Sequence, residues 1–138
     1  MTSETVPPPE APPVRIAVCG GPQSGKTTFA RTLGLQVYST DVAFADREWS
    51  QVSSDVSEWF NRDGSWVIEG VVVPRALRKW LSSHSRGKPC DKVVWLNTSY
   101  APLSEDQARM GKGCLTVLRE IQRSLQKRGV FVEGVPRG

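Results

Sequence analysis

Cysteine and histidine are both scarce in this chain, and their scarcity excludes whole classes of chemistry. The three cysteines, Cys19, Cys90 and Cys114, are odd in number, widely spaced and without a CxxC pair or a histidine beside them. That pattern supports neither a disulfide framework nor a zinc site, and it points to a reducing cytoplasm. The one histidine, His84, follows Ser82-Ser83 at an expected helix end and reads as a cap or surface group. No apolar run approaches the roughly 20 residues of a membrane span, so no membrane partner is expected. The N-terminus lacks the basic start and apolar stretch of a secretion signal. Internal repeats are missing as well.

What remains is a chain of 138 residues, the size of one domain, with 38% hydrophobic and 23% charged residues, as globular proteins have. Residues 1–13 hold a run of prolines that favours an extended, solvated tail, and residues 14–138 are expected to form the domain. Net charge is +4, but residues 1–74 carry 5 Lys and Arg against 9 Asp and Glu, and residues 75–138 carry 13 against 5. The second half therefore favours an anionic partner, nucleic acid or phosphate.

Apolar runs at 14–19, 35–39, 66–68, 93–96 and 130–132 read as buried parallel strands. Helical patterns fill the gaps: 26–33, ended by Gly34; 46–60, with Trp49, Val52, Val56, Trp59 and Phe60 on one stripe; a helix opened by Pro74; and one that places Cys114, Val117, Leu118, Ile121 and Leu125 on one face. On the opposite face of that last helix lie Lys112, Arg119, Arg123 and Lys127, a basic stripe that reads first as a solvated surface with Arg119 or Arg123 pairing to Glu120 or other acids. The expected fold is a three-layer α/β sandwich around a five-stranded, mainly parallel sheet.

One local pattern carries definite chemistry. Gly20-Gly21-Pro22-Gln23-Ser24-Gly25-Lys26-Thr27 satisfies G-x-x-x-x-G-K-[ST] between a strand and a helix, with Thr28 following. In such a phosphate loop the backbone N–H groups turn inward, the helix N-terminus adds positive potential, the lysine reaches the β and γ phosphates and the Thr27 hydroxyl ligates Mg²⁺. A GTPase would also need Asn-Lys-x-Asp and Asp-x-x-Gly, and neither occurs.

With that loop, the chain resembles the nucleoside and nucleotide kinase group of phosphate-loop proteins, adenylate-kinase-like and shikimate-kinase-like, across most of 14–133. The resemblance implies an ATP- and Mg²⁺-dependent phosphotransferase with a nucleotide triphosphate donor. It rests further on Tyr38-Ser-Thr-Asp41, whose Asp41 is the expected general base or Mg²⁺ ligand, with an N-cap as the plainer alternative. Trp66-Val-Ile-Glu-Gly-Val-Val-Val-Pro-Arg75 is similar to the strand-Asp-Gly-Phe-Pro-Arg element, with Glu69 on Mg²⁺ and Arg75 on an anionic acceptor, although two extra residues precede Pro-Arg. Gln107-Ala-Arg-Met-Gly-Lys-Gly113 falls where the family places its lid, making Arg109 catalytic and Lys112 substrate-binding. Trp49 or Trp59 can stack on a base; the other tryptophans and Cys19 read as core.

The acceptor stays open between two readings. The segment 41–65 is short and has only Arg47 and Arg62, poor material for a closed monophosphate clamp. Together with a likeness to small bacteriophage kinases, including those acting on 5-hydroxymethyluracil in DNA, this ranks a DNA-embedded base first and a free deoxynucleoside monophosphate second. A nucleotide-binding interaction module without catalysis, or a regulatory ATPase, comes from a different class. Oligomeric state and donor base are not legible.

Overall fold

The five apolar runs form strands β1 (Arg15–Gly20), β2 (Gln36–Ser39), β3 (Trp66–Glu69), β4 (Lys92–Leu96) and β5 (Phe131–Glu133). They alternate with helices α1 (Lys26–Thr32), α2 (Trp49–Trp59), α3 (Val73–Ser83) and α4 (Glu105–Lys127). The computed structural model describes residues 12–41, 48–97, 99 and 101–136. Most of the expected tail, and also Asp46 and Arg47, lie outside the described residues; Pro12 and Pro13 are exposed.

The strands form one sheet in the order β2-β3-β1-β4-β5. Every pairing is parallel, with Val18 of β1 in register with Glu69 of β3 on one side and Val94 of β4 on the other. From Ile16 to Cys19 the central strand is apolar because both of its faces are covered. Ala17 and Cys19 pack with Ile68, Val93 and Trp95 against α2, α3 and α4, and Ile16 and Val18 pack with Val67 and Val94 against α1. The result is the expected helix-sheet-helix sandwich, thick on one face and thin on the other.

Three of the five tryptophans are core. Trp66, Trp80 and Trp95 are buried, and their ring N–H groups are satisfied by the Arg62 carbonyl at 3.1 Å, Asn61 Oδ1 at 3.0 Å and Asn97 Oδ1 at 3.5 Å. His84 caps α3: its Nδ1 lies 2.9 Å from the Trp80 carbonyl oxygen, and its ring stacks on Trp80 at 3.9 Å.

The structure departs from the sequence expectation at Gln107–Gly113. That segment is helical, forming the first turns of a single 23-residue α4 rather than a separate lid. Its start is fixed by a capping box: Ser104 Oγ accepts from the Gln107 N–H at 3.1 Å, and Gln107 Oε1 accepts from the Ser104 N–H at 3.0 Å. Glu105 and Asp106 in the first turn and Lys127 in the last suit the helix dipole. The buried row from Cys114 to Leu125 holds the rest against α3 and β1.

Candidate functional site

Because all strands run the same way, their C-terminal ends open on one edge, where α/β sheets bind ligands. The loop 20–25 leaves β1 there. Gln23 (φ 61°) and Gly25 (φ 82°) take left-handed conformations that curl the chain ahead of α1. A Cβ on Gly20 would stand 2.5 Å from Ser24 Oγ, so the tight curl requires a glycine at that position. Lys26 lies inside the curl: its Nζ donates to the Gly21 carbonyl at 2.7 Å and to Ser24 Oγ at 3.2 Å. Burial lowers the Lys26 pKa below its usual 10.5, while the carboxylates of Glu69 and Asp41 pull it partly back.

Glu69 ends β3 beside the loop and is 1% exposed. Its Oε1 accepts from Thr27 Oγ1 at 3.0 Å, while its Oε2 is buried without a partner. A nucleotide-bound Mg²⁺ keeps most of its water and takes one or two protein oxygens. Thr27 Oγ1 and the unpartnered Glu69 Oε2 fit that requirement, and among the described residues no group of three or more His, Cys, Asp or Glu side chains offers an alternative metal site. Asp41 stands exposed just past the end of β2, and the structure brings it within electrostatic reach of Lys26. Its neighbour Thr40, for which no sequence signal pointed to a role, is fully buried with its hydroxyl unpartnered, against the Cα of Gly70.

Beyond these carboxylates lies a cavity of about 510 Å³ lined by Trp49, Arg75, Asp106, Arg109, Met110 and Gly113. Arg75, in the first turn of α3, sets its guanidinium 4.7 Å over the Trp49 ring and donates to Cys114 Sγ at 3.8 Å. Among the described residues no carboxylate lies within ion-pair distance of Arg75, so its charge is open to an anion. Burial pushes the Cys114 thiol up despite that guanidinium. Arg109, at the rim, approaches Asp106 at 3.6 Å, an exposed pair of little energetic weight. Lys112 does not share this cavity. It lines a groove of about 240 Å³ on the other side of α4, with Gly21, Pro22 and Trp95. Trp59 is also elsewhere, packed near Tyr38 and Arg62.

Two further features escaped the sequence reading. Gly111 of α4 lies against the phosphate loop, so close that a Cβ on Gly21 would come within 3.0 Å of its Cα. A cavity of about 680 Å³ opens between α1 and the end of β4, lined by Gln23, Ser24, Gly25, Thr28, Phe29, Thr32 and Leu96. Thr28 faces that cavity and not Glu69. Spacing along one helix could have placed Thr28 and Thr32 together, but nothing local in the sequence signals the empty space beside them.

No protein-family model matches the chain, and no curated protein matches it in sequence. Among solved structures it is similar to a shikimate kinase from Acinetobacter baumannii in complex with shikimate, at 16% identity and a TM-score of 0.47, covering 91% of this chain and 86% of that one.

Proposed function

We propose that this chain is an ATP- and Mg²⁺-dependent phosphotransferase. It moves the γ-phosphoryl group to a hydroxyl of a nucleotide-type acceptor, with a base carried in DNA, such as 5-hydroxymethyluracil, as the leading form. The observation that carries this reading is the convergence at one sheet edge of a phosphate loop around Lys26, the Thr27–Glu69 pair with one free carboxylate oxygen, and the Arg75–Trp49 cavity. Donor and acceptor groups are thus offered on neighbouring surfaces.

In this reading loop residues 20–25, Thr27 and Thr28 cradle the donor phosphates through backbone N–H groups and the helix terminus. Lys26 leaves its contact with the Gly21 carbonyl and turns to the β and γ oxygens. Thr27, Glu69 and Asp41 would hold Mg²⁺ directly or through water, and the ion, when bound, would neutralise phosphate charge. Asp41 accepts the acceptor's hydroxyl proton as the oxygen bonds phosphorus and the bond to the β-phosphate oxygen breaks. Arg109 balances charge on the transferring group. Arg75 grips an acceptor anion, and Lys112 steadies the phosphate side from its own groove.

The test is incubation with Mg²⁺ and γ-labelled ATP, offering free deoxynucleoside monophosphates, plain DNA and DNA containing 5-hydroxymethyluracil in parallel, with Lys26→Ala as control. Label in modified DNA alone is the expected result. Label in a free monophosphate would move the acceptor to that class. Phosphate release without any acceptor would indicate a regulatory ATPase. Tight ATP binding with no product would overturn catalysis in favour of a nucleotide-binding module.

A further inference from the structure

The acceptor cavity lies at one end of α4, and the outward face of that helix carries a row of cations. At 100° per residue, Arg109, Lys112, Arg119, Arg123 and Lys127 fall within a stripe about 80° wide, opposite the buried row of Cys114, Val117, Leu118, Ile121 and Leu125. All five cations are exposed. Among the described residues no carboxylate pairs with Lys112, Arg119, Arg123 or Lys127. Arg119 donates to the Pro136 carbonyl; the acids near the stripe are Glu105, one turn before Arg109, Asp106, which approaches Arg109 at 3.6 Å, and Glu120 on the flank, held by Arg78 at 3.2 Å. A solvated helix surface normally mixes acids with its bases at i,i+4; from Lys112 to Lys127 this stripe holds no acid.

We infer that the outer face of α4 is a track for the backbone of a single-stranded nucleic acid, leading from Lys127 to the cavity of Trp49 and Arg75. The inference rests on the nucleic-acid form of the acceptor proposed above. Arg119, Arg123 and Lys127 follow one another at four-residue steps, a rise of about 6 Å each, comparable to the phosphate repeat of an extended strand. From Lys112 to Lys127 the helix rises about 22 Å, the length of roughly four nucleotides. Arg109 belongs to both the track and the cavity rim, so a strand lying on the stripe delivers its next nucleotide beside the Arg75–Trp49 pair. There an unstacked base meets an aromatic face and a guanidinium plane.

The experiment measures binding of a fluorescent single-stranded oligonucleotide of about 12 nucleotides by anisotropy, from about 0.05 to 0.5 M salt. It compares the wild-type chain, Arg123→Ala/Lys127→Ala, and the charge-matched control Arg31→Ala/Arg86→Ala, whose exposed arginines lie off the track on α1 and on the α3–β4 connection. Neither variant touches the proposed catalytic groups. Two lost phosphate contacts should flatten the log–log salt slope by about 1.4 and weaken binding about 25-fold at 0.1 M salt. ATP binding and the melting temperature should be unchanged, and the control should lose less than about threefold at the same salt. Equal losses in the two variants, or an unaltered slope in the first, would overturn the track. If the wild type labels modified DNA but the track variant binds like wild type, only the track fails. If the wild type binds the strand through the track and phosphorylates no DNA, the track stands and the DNA acceptor falls. Absence of strand binding in the wild type overturns both.

Discussion

Replacing Gly111 by alanine tests the continuity of α4 and its seating on the phosphate loop in one step. A glycine in a helix interior costs about 0.8 to 1 kcal/mol relative to alanine. A Cβ at position 111 would lie 3.5 Å from the Gly21 Cα and 3.9 Å from Pro22 Cδ. Those are ordinary van der Waals separations that add a few tenths of a kcal/mol of attraction and no clash. Gly111→Ala should therefore stabilise the fold by about 1 kcal/mol. With an unfolding entropy of about 2.1 cal/mol/K for each of some 120 ordered residues, that raises Tm by about 3 to 4 °C. The assay is thermal unfolding followed by far-ultraviolet circular dichroism, on a chain whose α-helix content should stay the same. A Tm unchanged or lowered would refute the reasoning, because residue 111 would then lie in a loop or the helix would press harder on the phosphate loop than these separations allow.

Gly70 should behave in the opposite sense. Its φ is +147°, and an added Cβ would meet Thr40 Oγ1 at 1.7 Å, so Gly70→Ala should cost about 2 to 4 kcal/mol by denaturant titration; a loss below about 1 kcal/mol would show that β2 and β3 do not meet there. The lowered Lys26 pKa, caused by burial, gives a pH dependence. The folded chain binds that proton less tightly than the unfolded chain, so on this group alone stability rises with pH in the interval just below 10.5. Nucleotide phosphate needs the ammonium form, so ATP affinity should fall over the same interval in an equilibrium titration of wild type, and this alkaline loss should vanish in Lys26→Ala. The three cysteines are buried, with Cys19 and Cys114 raised by burial and Cys90 pushed up to about 12. Iodoacetamide at neutral pH should label none of them in the native chain and all three in denaturant, as mass spectrometry would show.

The phosphate loop was legible because its chemistry is local: the glycines, Lys26 and Thr27 act through one loop and the helix it opens. Glu69 was legible because a buried strand ending in an acid leaves few places for it. The start of α4 was misread for an equally physical reason. The resemblance placed a lid at Gln107–Gly113, ahead of the helix, although the capping pair of Ser104 and Gln107 is itself local and readable. What the sequence does not show is the surroundings of the two glycines: Gly111 packs against Gly21 of the phosphate loop, and a Cβ at Gly113 would come within 3.3 Å of Arg75 Nη2. Such close approaches belong to tertiary packing and leave no local trace. The same holds for Thr40, buried because β2 ends beside Gly70, and for Arg109 and Lys112, which share the outer face of α4 yet line different cavities.

The position of β1 at the centre of the sheet sets the order in which the chain can fold as it is made. Arg15 pairs with Trp66, and Val18 with Val94, so the first strand synthesised waits for partners about 50 and 76 residues later. At 5 to 20 residues per second, the interval before β4 emerges is about 4 to 15 s, during which an apolar strand has both hydrogen-bonding edges bare. Until β3 and β4 emerge, β1 is therefore open to misassociation, and a chaperone acting on the nascent chain would find its target in residues 15–20.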